Sequence, residues 1–295
     1  MTSVNPVSFF RNLRFSFNSI GGGEKPMPKR YEDLTIQENF IFTKVMSDPK
    51  LLKGLLIRIL PHLDLSEIQI VLKEKTVDEY PNSHSVRFDV FAKDGKHMFC
   101  VEMQVSRYYF SPRHARYYQG AADMEDLNAG QDYEDLKDQY IIFICPFDPF
   151  GTNMLVYTVT NKVHETGEEF GDDTTKIFIN CTGKNSEDYP LLKPFTDYVM
   201  ATMSDDAYIA EVDQSVRQAR MNPLWRKQYM DLRDYKKIGK DEGLREGRIE
   251  GKKEERLNNA EKMIRYGLSF DQTAEILELT ESEKEEYRNS LQLTD

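Results

Sequence analysis

Three polar side chains interrupt two runs that otherwise read as buried strands in VRFDVFAKDGKHMFCVEMQV, residues 86 to 105: Asp89, Glu102 and Gln104. Two carboxylates and an amide on one face form a hard-oxygen set. Mg²⁺ is held by one or two carboxylates and keeps the rest of its octahedron for water and substrate phosphate. The alternating pattern on either side of Asp94-Gly95 predicts a β-hairpin with a two-residue loop. Lys93 would then face Lys96, and counting back pairs Phe91 with Met98, Asp89 with Cys100, and Arg87 with Glu102. Period two puts Phe88, Val90, Phe99, Val101, Met103 and Val105 on one side, and Arg87, Asp89, Cys100, Glu102 and Gln104 on the other. Asp89 and Glu102 become diagonal neighbours, with Cα atoms roughly 7–8 Å apart. The spacing allows two readings: a cation site shared by both carboxylates, or an Arg87–Glu102 cross-strand ion pair with Asp89 facing solvent. The D…E-x-Q pattern is short, and alone it does not decide between them.

The elements around this hairpin follow from periodicity. Two helices are expected between 35 and 60, the second stopped by Pro61, and Ile68 to Lys73 reads as a strand. Ser111 to about Asn128 reads as a helix with Arg113 and Arg116 three apart on one face, ended by a turn at Gly130. Tyr140 to Cys145 is an apolar run of central-strand length, and Met154 to Thr160 and Lys176 to Cys181 are further strands. Helices and strands in this order predict an α/β fold, a mixed sheet flanked by helices, with the core ending near 200.

Beyond 204 the chain becomes helical and charged, with glycines at 239, 243, 247 and 251 in a strict four-residue period. Each costs roughly 1 kcal/mol against Ala inside a helix. Close approach of another helix, weak local order and low-complexity slippage all account for such a row. Ser269-x-x-Gln272 and Thr280-x-x-Glu283 predict two capped short helices, about 271 to 278 and 281 to 291. The glutamates of the second argue against DNA reading by that pair.

The 295-residue chain is 39% hydrophobic and 30% charged, the balance of a soluble globular protein. No apolar run reaches the ~20 residues of a membrane span. Cys100, Cys145 and Cys181 are odd in number and far apart, which supports neither a disulfide framework nor a C-x-x-C metal site and points to a reducing, cytoplasmic compartment. A net charge of −11 argues against indiscriminate coating of nucleic acid. The segment 214 to 240 is locally basic: Arg217, Arg220, Arg226, Lys227, Arg233, Lys236, Lys237 and Lys240 stand against Asp231 and Asp234. The five histidines form no H-E-x-x-H pair, and no nucleophile elbow is present.

The helix containing ENFIFTKVM, the strand with Asp89, the strand with Glu102-x-Gln104 and the helix with Arg113 and Arg116-Tyr117-Tyr118 together resemble one family. It is the PD-(D/E)XK nuclease-fold family of recombination-promoting nucleases and transposases. Gly130-x-x-Tyr133-x-x-Leu136 before a strand and the glycine-repeat tail fit it too. The resemblance implies a restriction-endonuclease-like fold with a four-stranded mixed sheet and a DNA endonuclease site dependent on Mg²⁺ or Mn²⁺. It makes Asp89 and Glu102 the metal ligands, with the backbone carbonyl of Met103 as a further oxygen and Glu38 as an additional acidic residue. Gln104 stands where the signature has lysine. An amide orients water but is neither cation nor base, so Lys44, Arg113 and Arg116 are the candidates to meet phosphate. Four segments are expected: a disordered extension or an upstream start over 1–26, a nuclease-like core over 27–203, a charged helical segment over 204–256 and a small helical tail over 257–295. Two functions compete: an endonuclease promoting recombination or mobile-element transfer, and a catalytically weak DNA-binding scaffold. Either would be a homo-oligomer joined through its C-terminal helices.

Overall fold

The computed structural model describes residues 29–65, 67–72, 76–77, 86–127 and 130–291. The expected extension over 1–26, the end of the first strand at Lys73 and the end of the third helix at Asn128 lie outside them.

Among the described residues the first α-helices are α1 (Asn39–Met46) and α2 (Pro49–Ile59). Asp48 separates them: its carboxylate accepts the N–H groups of Lys50 and Leu51, and Pro49 occupies the first helical turn, where no N–H is needed. After β1 (Gln69–Leu72), a two-stranded ribbon joins β2 (Thr76–Val77) to β3 (Val86–Arg87). The hairpin is β4 (Val90–Lys93) and β5 (His97–Met103). Then come α3 (Pro112–Asp126), β6 (Asp138–Cys145), β7 (Val156–Val159) and β8 (Thr174–Asn180).

The sheet is mixed and six-stranded, in the order β1-β4-β5-β6-β8-β7. Its middle, β5-β6-β8, is parallel, and the outer pairings are antiparallel. It is wider than the four strands that the resemblance implied, with short strands closing its two edges.

Both faces of the sheet are covered, which is why β6 reads as an unbroken apolar run. Val90, Ala92, Phe99, Val101, Met103, Ile142, Ile144, Ile177 and Ile179 pack with α1 and α2. Phe91, Met98, Cys100, Ile141, Phe143 and Phe178 pack against Ala115, Tyr118 and Ala122 of α3. After α4 (Lys193–Val199), α5 (Ala207–Met221) buries Tyr208, Ile209, Val212, Val216 and Ala219 in the α1–α2 layer, so apolar packing continues past residue 200.

A 43-residue helix, α6 (Pro223–Arg265), leaves the core after Trp225, Tyr229 and Leu232. At its far end α7 (Phe270–Ile276) and α8 (Glu281–Ser290) fold back on it around Ala260, Ala274, Leu279 and Tyr287. Both carry the expected capping boxes, at Ser269 and Thr280. Among the described residues no helix is long and apolar enough to cross a membrane.

Candidate functional site

The hairpin turn sits one residue later than its sequence predicts. Lys93 is opposite Met98, Asp94 N–H donates to the carbonyl of His97, and Gly95-Lys96 make the turn. The cause is Asp94. Its Oδ1 accepts the N–H groups of Lys96 and His97 at 2.8 Å each and lies 3.0 Å from His97 Nδ1, so the carboxylate locks the turn from within. Burial would raise the Asp94 carboxyl, but the hydrogen bonds from the His97 ring and from those two N–H groups hold it below the usual carboxylate range.

That slip changes the site. The observed register puts Cys100 opposite Phe91, and continuing it sets Glu102 opposite Asp89. The two carboxylates are therefore direct cross-strand neighbours and not diagonal ones. The backbone of Arg87 pairs with Thr76, so Arg87 is not the ladder partner of Glu102. A bend at Asp89 also turns Phe88 to the opposite face from the one expected, where its ring stacks on Phe91 and meets Tyr118 edge-on.

Asp89 is 7% exposed and Glu102 5%, which excludes an aspartate facing solvent. The pair is laced together through the backbone. Asp89 N–H donates to Glu102 Oε1 at 2.8 Å, and Met103 N–H donates to Asp89 Oδ2 at 3.0 Å. These bonds take the place of ladder bonds where β4 begins and β5 ends. Asn39, the first residue of α1, points its Nδ2 at both oxygens of Asp89, 3.0 Å from Oδ2 and 3.3 Å from Oδ1. The sequence reading missed Asn39. Its only signal was a polar residue opening a mostly apolar helix.

On the α3 side, Phe143 is the neighbour of Glu102 in β6, and His114 lies against Phe143 and Tyr118. Burial holds the His114 imidazole below its ordinary value. Cys100 is fully enclosed; burial, then the charges of Glu102 and Asp123, push its thiol well up, so it is inert as a nucleophile.

Glu38 caps its own loop, its Oε2 accepting from the N–H and hydroxyl of Thr35 while Oε1 pairs with Lys29. Gln104 is partly buried, and its Nε2 donates to the carbonyl of Ser106 at 2.7 Å. Lys44 lies over the rings of Phe40 and Trp225, on the α6 side of α1. Arg113 and Arg116 are exposed on the outer side of α3.

Asp89 and Glu102 are two buried carboxylates side by side, the hard-oxygen donors that a divalent cation takes, although among the described residues no group of three or more His, Cys, Asp or Glu side chains is placed to hold a metal ion. Such a site leaves coordination positions for water and phosphate oxygen, as Mg²⁺ requires.

The family model for PD-(D/E)XK nuclease family transposases matches residues 37–188, a span running from the turn before α1 to just beyond β8. The chain belongs to this family. The matched span contains Asn39, Asp89, Glu102 and Gln104 and every strand of the six-stranded sheet. Membership gives the chain a nuclease-type function, with nucleic acid as the substrate class. No curated protein matches the chain.

Proposed function

We propose that the protein is a DNA endonuclease dependent on Mg²⁺ or Mn²⁺ that acts in recombination or mobile-element transfer. The observation that carries this reading is the Asp89–Glu102 pair: two buried carboxylates, opposite in register, tied together by backbone N–H groups and braced by Asn39. Asp89 and Glu102 would hold the ion, with the carbonyl of Met103 as a further oxygen. Bound there, the ion would polarise the phosphate and lower the pKa of a water. Asn39 would fix the rotamer of Asp89, and the Met103 N–H would hold its Oδ2. Gln104 would orient water from the end of β5, and Arg113 and Arg116 would meet the DNA backbone along α3. Within the segments proposed above, residues 27–203 would carry this chemistry. The cytoplasm would be its compartment, a reading supported by three buried free cysteines.

Supercoiled plasmid incubated with the full chain and Mg²⁺ or Mn²⁺ tests the reading. Nicking that is abolished by chelator and by Asp89→Ala supports it; a wild type that binds neither ion and cuts no DNA overturns it.

Gln104 favours a second reading. With its amide turned onto Ser106 in place of a lysine, the fold would serve as a DNA-binding scaffold that self-associates through the C-terminal helices. DNA binding without cleavage, together with gain of cleavage in Gln104→Lys, would select it. Self-association is part of both readings.

A further inference from the structure

We infer that two copies of the chain associate antiparallel and two-fold symmetric across the glycine face of α6, centred on Arg245. The inference rests on the self-association reading above and specifies its partner, orientation and register.

A Cβ added at Gly243, Gly247 or Gly251 would meet nothing within 4 Å, so these glycines fit no neighbour within one chain. The face they occupy is continuous with the seam that seats α6 on the core. At 3.6 residues per turn, Trp225, Tyr229 and Leu232 share a side with positions 236, 240, 243, 247, 250 and 254. The first three pack on the core; beyond it the same side becomes glycine. At the far end α7 and α8 fold against Arg256, Leu257 and Ala260, and Glu254 is exposed.

Charge selects the partner and its direction. By sequence, Lys236 and Lys240 precede the central glycines on this face, and Glu250 and Glu254 follow them. In a parallel pair, lysine would meet lysine and glutamate would meet glutamate. Turned antiparallel about Arg245, Gly243 comes opposite Gly247, Gly239 opposite Gly251, Lys240 opposite Glu250 and Lys236 opposite Glu254. Both charged ends are then complemented twice by symmetry. Arg245 itself lies on the opposite side of the helix, so its two copies do not collide.

Leu244 supplies the apolar part. It is 62% exposed on the flank of the glycine face, and in antiparallel helices like flanks meet, so each Leu244 covers its symmetry mate. A four-residue row is an i±4 ridge. Packing such ridges crosses helices at about −50°, which carries the partner clear of the core.

The test is light scattering on the full chain across a dilution series. The proteins are wild type, Glu250→Lys/Glu254→Lys, Lys236→Glu/Lys240→Glu and an equimolar mixture of the two charge variants, each with circular dichroism to confirm folding. The expected result is a wild-type dimer, at least about tenfold weaker association for each variant alone, and recovery in the mixture. Gly243→Leu/Gly247→Leu should become more helical and yet lose the dimer. A monomeric wild type removes the self-association reading and this inference with it. A wild-type dimer that both charge variants retain, or that the mixture does not restore, leaves self-association standing and overturns the antiparallel register.

Discussion

At the residue scale the site depends on how Asp89 is held. Hydrogen bonds link its peptide and carboxylate to Glu102, Met103 and Asn39, so its geometry is set before any ligand arrives. If the pair binds a divalent ion, 100 Kd of Mg²⁺ should stabilise the fold by about 2.7 kcal/mol. Thermal melts with and without metal should show that shift in the wild type and none in Asp89→Asn. Asn39→Ala removes a brace and no ligand. Loss of such an outer partner costs about 10–100-fold in metal affinity or activity, and isothermal titration of Asn39→Ala against wild type checks it while the fold persists.

At the element scale the hairpin turn and the α2–α5 contact make separate predictions. Asp94 is depressed in the folded state from an ordinary value of 3.8, so its contribution is present above that value and is lost as pH falls through the lower folded one. Below about pH 4, wild type should lose stability that Asp94→Ala, already destabilised at pH 7, no longer has to lose; denaturant melts from pH 7 to 3 measure the difference. In α2, Gly54 sits under the ring of Tyr208, whose hydroxyl donates to the carbonyl of Leu51. A Cβ there would lie 2.5 Å from the ring. Helix propensity would make Gly54→Ala stabilising by about 1 kcal/mol. Because the ring is buried and hydrogen-bonded, we expect a net loss of about 1–3 kcal/mol from overpacking, read by urea denaturation.

At the scale of the whole molecule, the sheet and the far end of α6 have separate apolar clusters joined by a single helix. Tyr287 is 2% exposed in the distal cluster, and its hydroxyl donates to the carbonyl of Lys253. Tyr287→Ala should cost about 3–5 kcal/mol locally. Hydrogen exchange should then show α7 and α8 opening while the amides of β5 and β6 keep their protection. If the sheet loses protection in step, the two ends are one cooperative unit and this expectation fails.

The sequence by itself determined the two carboxylates, the mixed sheet and the capped C-terminal helices. Local rules decide these features: alternation, a continuous apolar run, and Ser or Thr three residues ahead of Gln or Glu. Only the tertiary structure decided the rest. The Asp94-Gly95 pattern set a hairpin but not its register, because buried His97 and two N–H groups compete for the Asp94 carboxylate, and that competition moves the turn by one residue. Asn39 reaches Asp89 from 50 positions away, and Glu38, the more conspicuous residue, turns back onto Thr35. The reason is physical. Periodicity reports which face a residue occupies, whereas the partner that a buried polar group finds is settled by which elements pack together, and α1 meets β4 only once the sheet is formed.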